Sequence, residues 1–268
     1  MFDLILIAIT VLTWNTGRMD FAHKPAQNEV LQYLLDQDAD VVCLQEVDVY
    51  KDAKYLTLPD VKKTLGQKYP YSYIDFSIYN QRHQFGTMVW AKYPLINKQS
   101  IHYESEGNLS NRCDIVVGTD TFRLINNHLE SYRFTHDDIA EAENKGGYEG
   151  LIASLKRLKA KWDRAVPLRN NQAKVVRTEI EQSPYPVIVA GDFNAPAWSF
   201  AYRHISEGLH DAWTDTHYLW QWGATCEKRG YGVRIDYILC SDPLRPVTAA
   251  VSDASGSDHK PVIATLKW

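Results

Sequence analysis

The sequence predicts a single layered α/β domain covering residues 1–268. Three observations lead there. Strand-like and helix-like patterns interleave from end to end, the order that a layered α/β architecture requires. No repeat, low-complexity tract or interdomain linker divides the chain. Apolar runs that read as buried strands stop abruptly at polar residues, most clearly in Pro186-Val187-Ile188-Val189-Ala190-Gly191, which is followed by Asp192-Phe193-Asn194.

Taken in order, Leu4 to Trp14 reads as a strand ending in the turn Asn15-Thr16-Gly17. Residues 28 to 37 set Val30, Leu31, Leu34 and Leu35 among polar positions, the period of an amphipathic helix. Ala39 to Leu44 is a second buried strand, stopping at Gln45-Glu46. A short helix is expected from Asp60 to Leu65, closed near Gly66. Tyr71 to Ile78 and Thr87 to Trp90 look like a strand pair, after which Lys92-Tyr93-Pro94-Leu95 turns the chain. Asp114 to Thr119 and Thr121 to Asn127 suggest a hairpin that ends at Asn127-His128.

Residues 131 to 150 are polar and acidic and contain Gly146, Gly147 and Gly150, the composition of a mobile loop or lid. Two helices are expected next, at 151–164 and 167–182, the first with Leu151, Leu155, Leu158 and Trp162 on one stripe. Beyond the Pro186–Gly191 strand, Trp198, Trp213, Trp220 and Trp222 are expected to fill core, with stacking on substrate rings as the alternative. Ile235 to Leu239 and Val262 to Leu266 are the last strands, with Gly256-Ser257-Asp258-His259 between them.

A hydrophobic fraction of 45% supports a sizeable core. The net charge of −4 argues against a protein that coats nucleic acid. The charge is uneven, however: residues 151 to 177 carry eight Lys or Arg against the single acid Asp163. Such a block reads first as a solvated helix face and second as an attractor of polyanions or anionic lipid. Cys43, Cys113, Cys226 and Cys240 lack CxxC spacing, so neither a zinc knuckle nor a disulfide framework is expected. The apolar start, Met1 to Leu12, has no basic region for a signal peptide and falls short of the about 20 residues that span a bilayer. A cytoplasmic location is expected, with membrane association or export as the alternatives that this apolar start leaves. The chain is expected to act as a monomer without an obligate protein partner.

Polar residues recur where strands end: Asn15, Glu46, His128, Asp192 with Asn194, Asp236, and Asp258-His259. Each has a bland alternative. Asn15, Asp192 and Asn194 could cap turns, Glu46 could pair with a surface Lys, His128 could be a satisfied core histidine, and Asp236 could pair with Arg234. Strand ends along one edge of a sheet nevertheless converge, and convergent polar groups there mark a ligand site. Carboxylate and amide oxygens without thiolates suit a hard cation, Mg²⁺ or Mn²⁺. Imidazoles beside it can stabilise a phosphoryl oxygen, and a carboxylate can take the proton of water. Together these parts suit attack of water on a phosphate ester.

Thr13-Trp14-Asn15, Leu44-Gln45-Glu46, Asn127-His128-Leu129, Gly191-Asp192-Phe193-Asn194, Arg234-Ile235-Asp236-Tyr237 and Ser257-Asp258-His259 occur in the order seen in the endonuclease/exonuclease/phosphatase superfamily, which the chain resembles over nearly its whole length. The resemblance implies a DNase I-like four-layer α/β sandwich of two packed mixed sheets flanked by helices. It implies that Glu46, helped by Asn15 and Asp258, holds the divalent ion. Asp192 would orient or deprotonate the attacking water, and Asn194 would position the water or the phosphate. His259, oriented by Asp236, would stabilise the transition state, and His128 would be a second phosphate-facing donor.

Thr16-Gly17 stands where apurinic-site endonucleases usually have an acid, and Asn127-His128-Leu129 where they usually have a Tyr motif. Both departures point toward members resembling DNase I, sphingomyelinases, lipid phosphatases and deadenylases. Phe193 stands where tyrosyl-DNA phosphodiesterases commonly have Thr. The expected activity is a divalent-metal-dependent phosphoesterase acting on nucleic acid, a phospholipid head group or a small phosphoester. The alternative is a catalytically silent scaffold of the same fold, holding a polyanion or membrane surface through residues 151–177.

Overall fold

The computed structural model describes residues 7–105, 107–133, 148–228 and 231–268. The expected start of the first strand at Leu4 and most of the expected 131–150 loop lie outside the described residues. Strands numbered along the chain form two six-stranded sheets. The first contains β1 (Ala8–Asn15), β2 (Val41–Tyr50), β3 (Tyr71–Tyr79), β4 (His83–Ala91), β13 (Arg245–Val251) and β14 (Val262–Lys267), in the order β13-β14-β1-β2-β4-β3. The second contains β5 (Leu95–His102), β6 (Leu109–Val117), β7 (Asp120–His128), β8 (Val187–Asp192), β9 (His210–Asp211) and β12 (Asp236–Cys240), in the order β5-β6-β7-β8-β12-β9. A small ribbon, β10 (Cys226–Lys228) with β11 (Tyr231–Val233), stands apart. Each large sheet is mixed: β1 with β2 and β7 with β8 run parallel among antiparallel neighbours.

Strand alternation builds the layers. In β1, Ile9 and Val11 join Val41, Cys43, Leu124, Ile188, Ala190 and Ile238 in the core between the sheets. Leu12 and Trp14, on the other face, pack with α1 (Glu29–Asp36) and α2 (Leu58–Leu65) through Val30, Leu31, Leu34, Val61 and Leu65. Val187, Val189 and Leu239 face outward from the second sheet. They meet Ala173, Val176 and Ile180 of α3 (Tyr148–Glu181) and Ala201 and Ile205 of α4 (Phe200–Ser206). A last short helix, α5 (Ala212–Thr216), follows β9. Helices, sheet, sheet and helices make four layers, the sandwich that the sequence motifs imply. Both short helices of the first outer layer are capped: the Asn28 side chain accepts from Leu31 N–H, and Thr57 with Asp60 forms a capping box.

Several expectations are corrected. The helices expected at 151–164 and 167–182 are one, α3, which runs through Pro167. Pro167 and Asp163, whose carbonyl loses its donor there, both lie on the solvent side, where water can satisfy that carbonyl. The strand expected to stop at Gln45-Glu46 continues to Tyr50, with a register shift between Leu44 and Val47. Strands β5 and β13 were not expected, because as edge strands they are largely polar or exposed and show no clean alternation. The tryptophans do not fill core: Trp198, Trp220 and Trp222 are exposed and Trp213 is half-buried, and none of the four belongs to the three apolar clusters among the described residues. The basic block is a solvated face only in part. Arg169 is 2% exposed, and Arg164 and Arg177 pair with Glu130 and Glu181. All four cysteines are free and buried. Among the described residues no helix is long and apolar enough to cross a membrane.

Candidate active site

The space between the sheets is apolar at one end and turns polar toward the other without a break in the alternation. After Ile9 and Val11 of β1 come Thr13 and Asn15 on the same face; after Val41 and Cys43 of β2 comes Gln45. In β7, Leu124 is followed on that face by Asn126 and His128; in β8, Ile188 and Ala190 are followed by Asp192. Gln45 bridges the sheets, donating to Asn126 Oδ1 at 2.7 Å and Thr13 Oγ1 at 3.0 Å. This buried amide layer floors the site.

Register then sets the reactive row. His128 pairs with Asp192 across β7 and β8, and Asp192 with Asp236 across β8 and β12. Three ionisable groups therefore stand side by side on adjacent strands. Gly191 is required for that closeness: its φ is +129° and a Cβ would fall 2.1 Å from Asn127 O. From the opposite sheet, Asn15 Nδ2 donates to Glu46 Oε1 at 3.0 Å and to Asp192 Oδ2 at 2.9 Å, tying the two carboxylates together. Asn15 Oδ1 accepts from Gly17 N–H at 3.1 Å. Glu46 has a φ of 51°, left-handed backbone that an ordinary residue adopts at a cost, at the irregularity in β2.

Asn194 is also left-handed, with a φ of 48°. Its N–H donates to Asp192 Oδ1 at 2.7 Å, so a turn of the bland kind exists here. Its side-chain Nδ2 donates to Asp192 Oδ2 and to Leu129 O, both at 3.0 Å, which locks the carboxylate in place. His259 is placed by its own loop: Trp14 Nε1 donates to His259 O, Ser257 Oγ donates to Asn15 O, and His259 N–H donates to Ser257 Oγ. His259 Nδ1 lies 2.9 Å from Asp236 Oδ2, and Nε2 lies 4.0 Å from Asp192 Oδ2. Arg234 does not pair with Asp236; it binds Asp211 at 2.7 Å. His128 Nε2 is 3.4 Å from Glu46 Oε1, and neither ring nitrogen makes a well-formed hydrogen bond among the described residues, so His128 is not a satisfied core histidine.

Burial and the neighbouring Asp236 charge push the Asp192 carboxyl up to about 6, against the pull of His259, His128 and Asn15. Glu46 goes the other way. Burial raises it, but the His128 imidazole 3.4 Å away, with the hydrogen bond from the Asn15 amide, outweighs burial and holds it at about 2. Burial lowers the His259 pKa, yet Asp236 and Asp192 hold it well above its ordinary value; Glu46 likewise raises His128 against burial. The result is one poised carboxyl, one firmly ionised carboxylate and two imidazoles that favour their protons.

Ligand atoms of Glu46, His128 and Asp192 lie within 4.8 Å of one another, as do those of Asp192, Asp236 and His259. These oxygen and imidazole sets fit a hard or borderline divalent cation. Asp236 Oδ1 is buried without a hydrogen-bond partner among the described residues, a further sign of a group that this site is built to take. Asp258 is exposed, and its carboxylate clusters with Cys226 and His259 rather than with Glu46 and Asp192. All the other predicted site residues meet at the one sheet edge.

Gln45, Asn126 and Arg169 were missed. The first two were legible as the polar members of the period-2 faces that carry Asn15 and His128. Arg169 lies on the α3 stripe of Ala165, Ala173, Val176 and Ile180 that faces the sheet, and a cation in such a stripe was the available signal. Its Nη1 donates to Asn194 O, and its guanidinium lies 4.1 Å over the Tyr132 ring.

The fold is similar to several solved structures. An endonuclease/exonuclease/phosphatase from Beutenbergia cavernae aligns with a TM-score of 0.65 at 16% identity, covering 97% of this chain and 71% of the other. Truncated TDP2 from Caenorhabditis elegans aligns with a TM-score of 0.64 at 20% identity over 98% of both chains. Sphingomyelinase C from Streptomyces griseocarneus aligns with a TM-score of 0.61 at 17% identity, covering 97% of this chain and 99% of the other. No curated protein matches by sequence. The profile of the Endonuclease/Exonuclease/phosphatase family, however, matches residues 12–259, from the strand that carries Asn15 to His259 itself, and the chain belongs to that family.

Proposed function

We propose that the chain is a Mg²⁺- or Mn²⁺-dependent phosphoesterase that hydrolyses a phosphodiester or phosphomonoester bond by attack of water, on a nucleic acid, a phospholipid or a small phosphoester. The observation that carries this reading is the meeting of Asp192, Asp236, His259, Glu46, Asn15 and His128 at one sheet edge, with carboxyl groups pushed in opposite directions. Paired groups with separated proton affinities are how a site divides acid and base work.

Asp192, held by three hydrogen bonds from Asn15 and Asn194, is ionised near neutrality yet keeps a raised proton affinity. It orients the attacking water and accepts its proton. Asn194 positions the water or the phosphate. His259 stays protonated, Nδ1–H directed at Asp236, so that its Nε2–H is free to donate to a phosphoryl oxygen as negative charge grows there. His128, with its proton favoured by Glu46, is a second such donor. Glu46, helped by Asn15, would hold the divalent ion, which when bound offsets charge on the phosphate; Asp258, which clusters with Cys226 and His259, is set aside from that role.

The test is hydrolysis of a generic phosphodiester with Mg²⁺ and with Mn²⁺ by wild type, Asp192→Ala and His259→Ala, with circular dichroism to check the fold. Loss of turnover in both folded variants is expected. Wild-type rates in both would rule out the assignment. A panel of single- and double-stranded DNA, RNA, sphingomyelin, phosphoinositides and small diesters then separates the substrate classes.

A further inference from the structure

We infer that an aromatic cleft beside this site is a stacking subsite for the nucleobase of a nucleotide-bearing phosphodiester. The inference rests on the phosphoesterase reading and names its substrate class. The cleft is lined by Trp198, Trp213, His217, Tyr218, Trp222 and Arg234 and holds ≈ 160 Å³. A cavity of about 150 Å³ is enough for a six-membered aromatic ring. Both walls are tethered to the reactive groups. Trp198 follows Asn194 by four residues, and Trp222 precedes by four residues Cys226, whose backbone bridges His259. Four residues reach at most about 14 Å.

The rings are fixed while their faces stay open. Trp222 is 60% exposed, yet its Nε1–H is donated to Gly232 O at 3.1 Å. Trp213 donates to Gln221 O at 2.8 Å and stacks on His217 with centroids 3.7 Å apart. Gly223, at a φ of +59°, lets the chain wrap that indole, since a Cβ there would lie 2.3 Å from it. Trp198, 63% exposed, faces Trp222 with centroids 6.3 Å apart and planes tilted by 39°. A ring sandwiched at van der Waals distance on both sides needs about 7 Å. The guest therefore lies on one indole face and meets the other at an angle, an arrangement aromatic pairs favour.

Arg234, at the floor, is already paired with Asp211 at 2.7 Å, so the cleft supplies stacking rather than a second phosphate contact. A tryptophan that anchors at a membrane surface keeps its N–H for the polar boundary. Here the N–H groups of Trp213 and Trp222 are both taken by backbone carbonyls, which favours a base over a bilayer.

The test is binding of adenosine 5′-monophosphate and ribose 5-phosphate to the full chain, by calorimetry without added metal, for wild type, Trp198→Ala, Trp222→Ala and Trp222→Phe. Wild type should favour the base-bearing ligand by about 5- to 150-fold, the range that stacking on one aromatic ring supplies. Each alanine variant should collapse that ratio, and Trp222→Phe should keep most of it. Equal affinities in wild type, or a ratio that neither alanine variant moves, would overturn the inference. So would binding of wild type to phosphatidylcholine vesicles that both alanine variants lose. Because the readout needs no turnover, ring preference without hydrolysis refutes the phosphoesterase and spares the cleft. Hydrolysis without ring preference does the reverse.

Discussion

Asp192→Asn should change stability in opposite directions at low and high pH. Asp192 is fully buried, and its carboxyl is raised from 3.8 to about 6, which corresponds to about 3 kcal/mol of opposition to the ionised form. Between those two values the folded chain holds a proton that the unfolded chain has lost, so wild-type stability falls as pH rises through this window. Asparagine removes the charge at every pH. It also puts an NH₂ where a carboxylate oxygen accepted, opposite either the Asn194 N–H or the two side-chain amides of Asn15 and Asn194. That mismatch costs about 1–3 kcal/mol.

At pH 8 the relief of about 3 kcal/mol opposes the mismatch and the variant should gain up to about 2 kcal/mol, whereas at pH 3, below both carboxyl values, the relief is gone and the variant should lose about 1–3 kcal/mol. Urea unfolding followed by tryptophan fluorescence, with EDTA present, measures both. Turnover should be lost even where stability is gained, as expected of a group kept for chemistry. The same stability difference at both pH values would show that Asp192 carries no strained charge, and the reasoning about its poised carboxyl would fail.

Three further outcomes are expected. Mg²⁺ at about 100 times its dissociation constant should add about 2.7 kcal/mol, roughly 5–10 °C in melting temperature, and Glu46→Gln should remove most of that shift; an ion-independent melt in wild type would refute the metal reading. Gly191→Ala places a Cβ 2.1 Å from a backbone oxygen that cannot move aside, and should cost more than about 4 kcal/mol, visible as lost solubility or a collapsed circular-dichroism transition. Arg169→Met removes a buried cation from an apolar stripe, so the melt should stay close to wild type while kcat falls, because the Asn194 carbonyl loses its donor; unchanged kcat would show that Asn194 needs no such hold.

Local patterns in the chain were enough for the layered α/β class, the approximate spans of α1, α2, β7, β8 and β14, and the polar residues at strand ends, because period-2 and period-3.6 burial are written directly in residue order. Six short motifs in order carried the family and, with it, the four layers. Edge strands β5 and β13 were illegible since the face they leave to solvent has no apolar requirement to display. The continuity of α3 through Pro167 depended on which side of the helix meets water, a property of packing.

The site divides in the same way. That Asn15, Glu46, His128, Asp192, Asn194, Asp236 and His259 matter could be read from where apolar runs stop. Which group holds which could not. The pairing of Asp236 with His259 instead of Arg234, and the tie of Asn15 to both Glu46 and Asp192, arise from strand register and sheet-to-sheet distance. The opposite displacements of Glu46 and Asp192 follow from burial and from the charges that face them, quantities that exist only once distant segments share a few ångströms. Residue order determined what chemistry the strand ends could offer; folding decided which of them share a proton, because electrostatic coupling depends on distance through space and not along the chain.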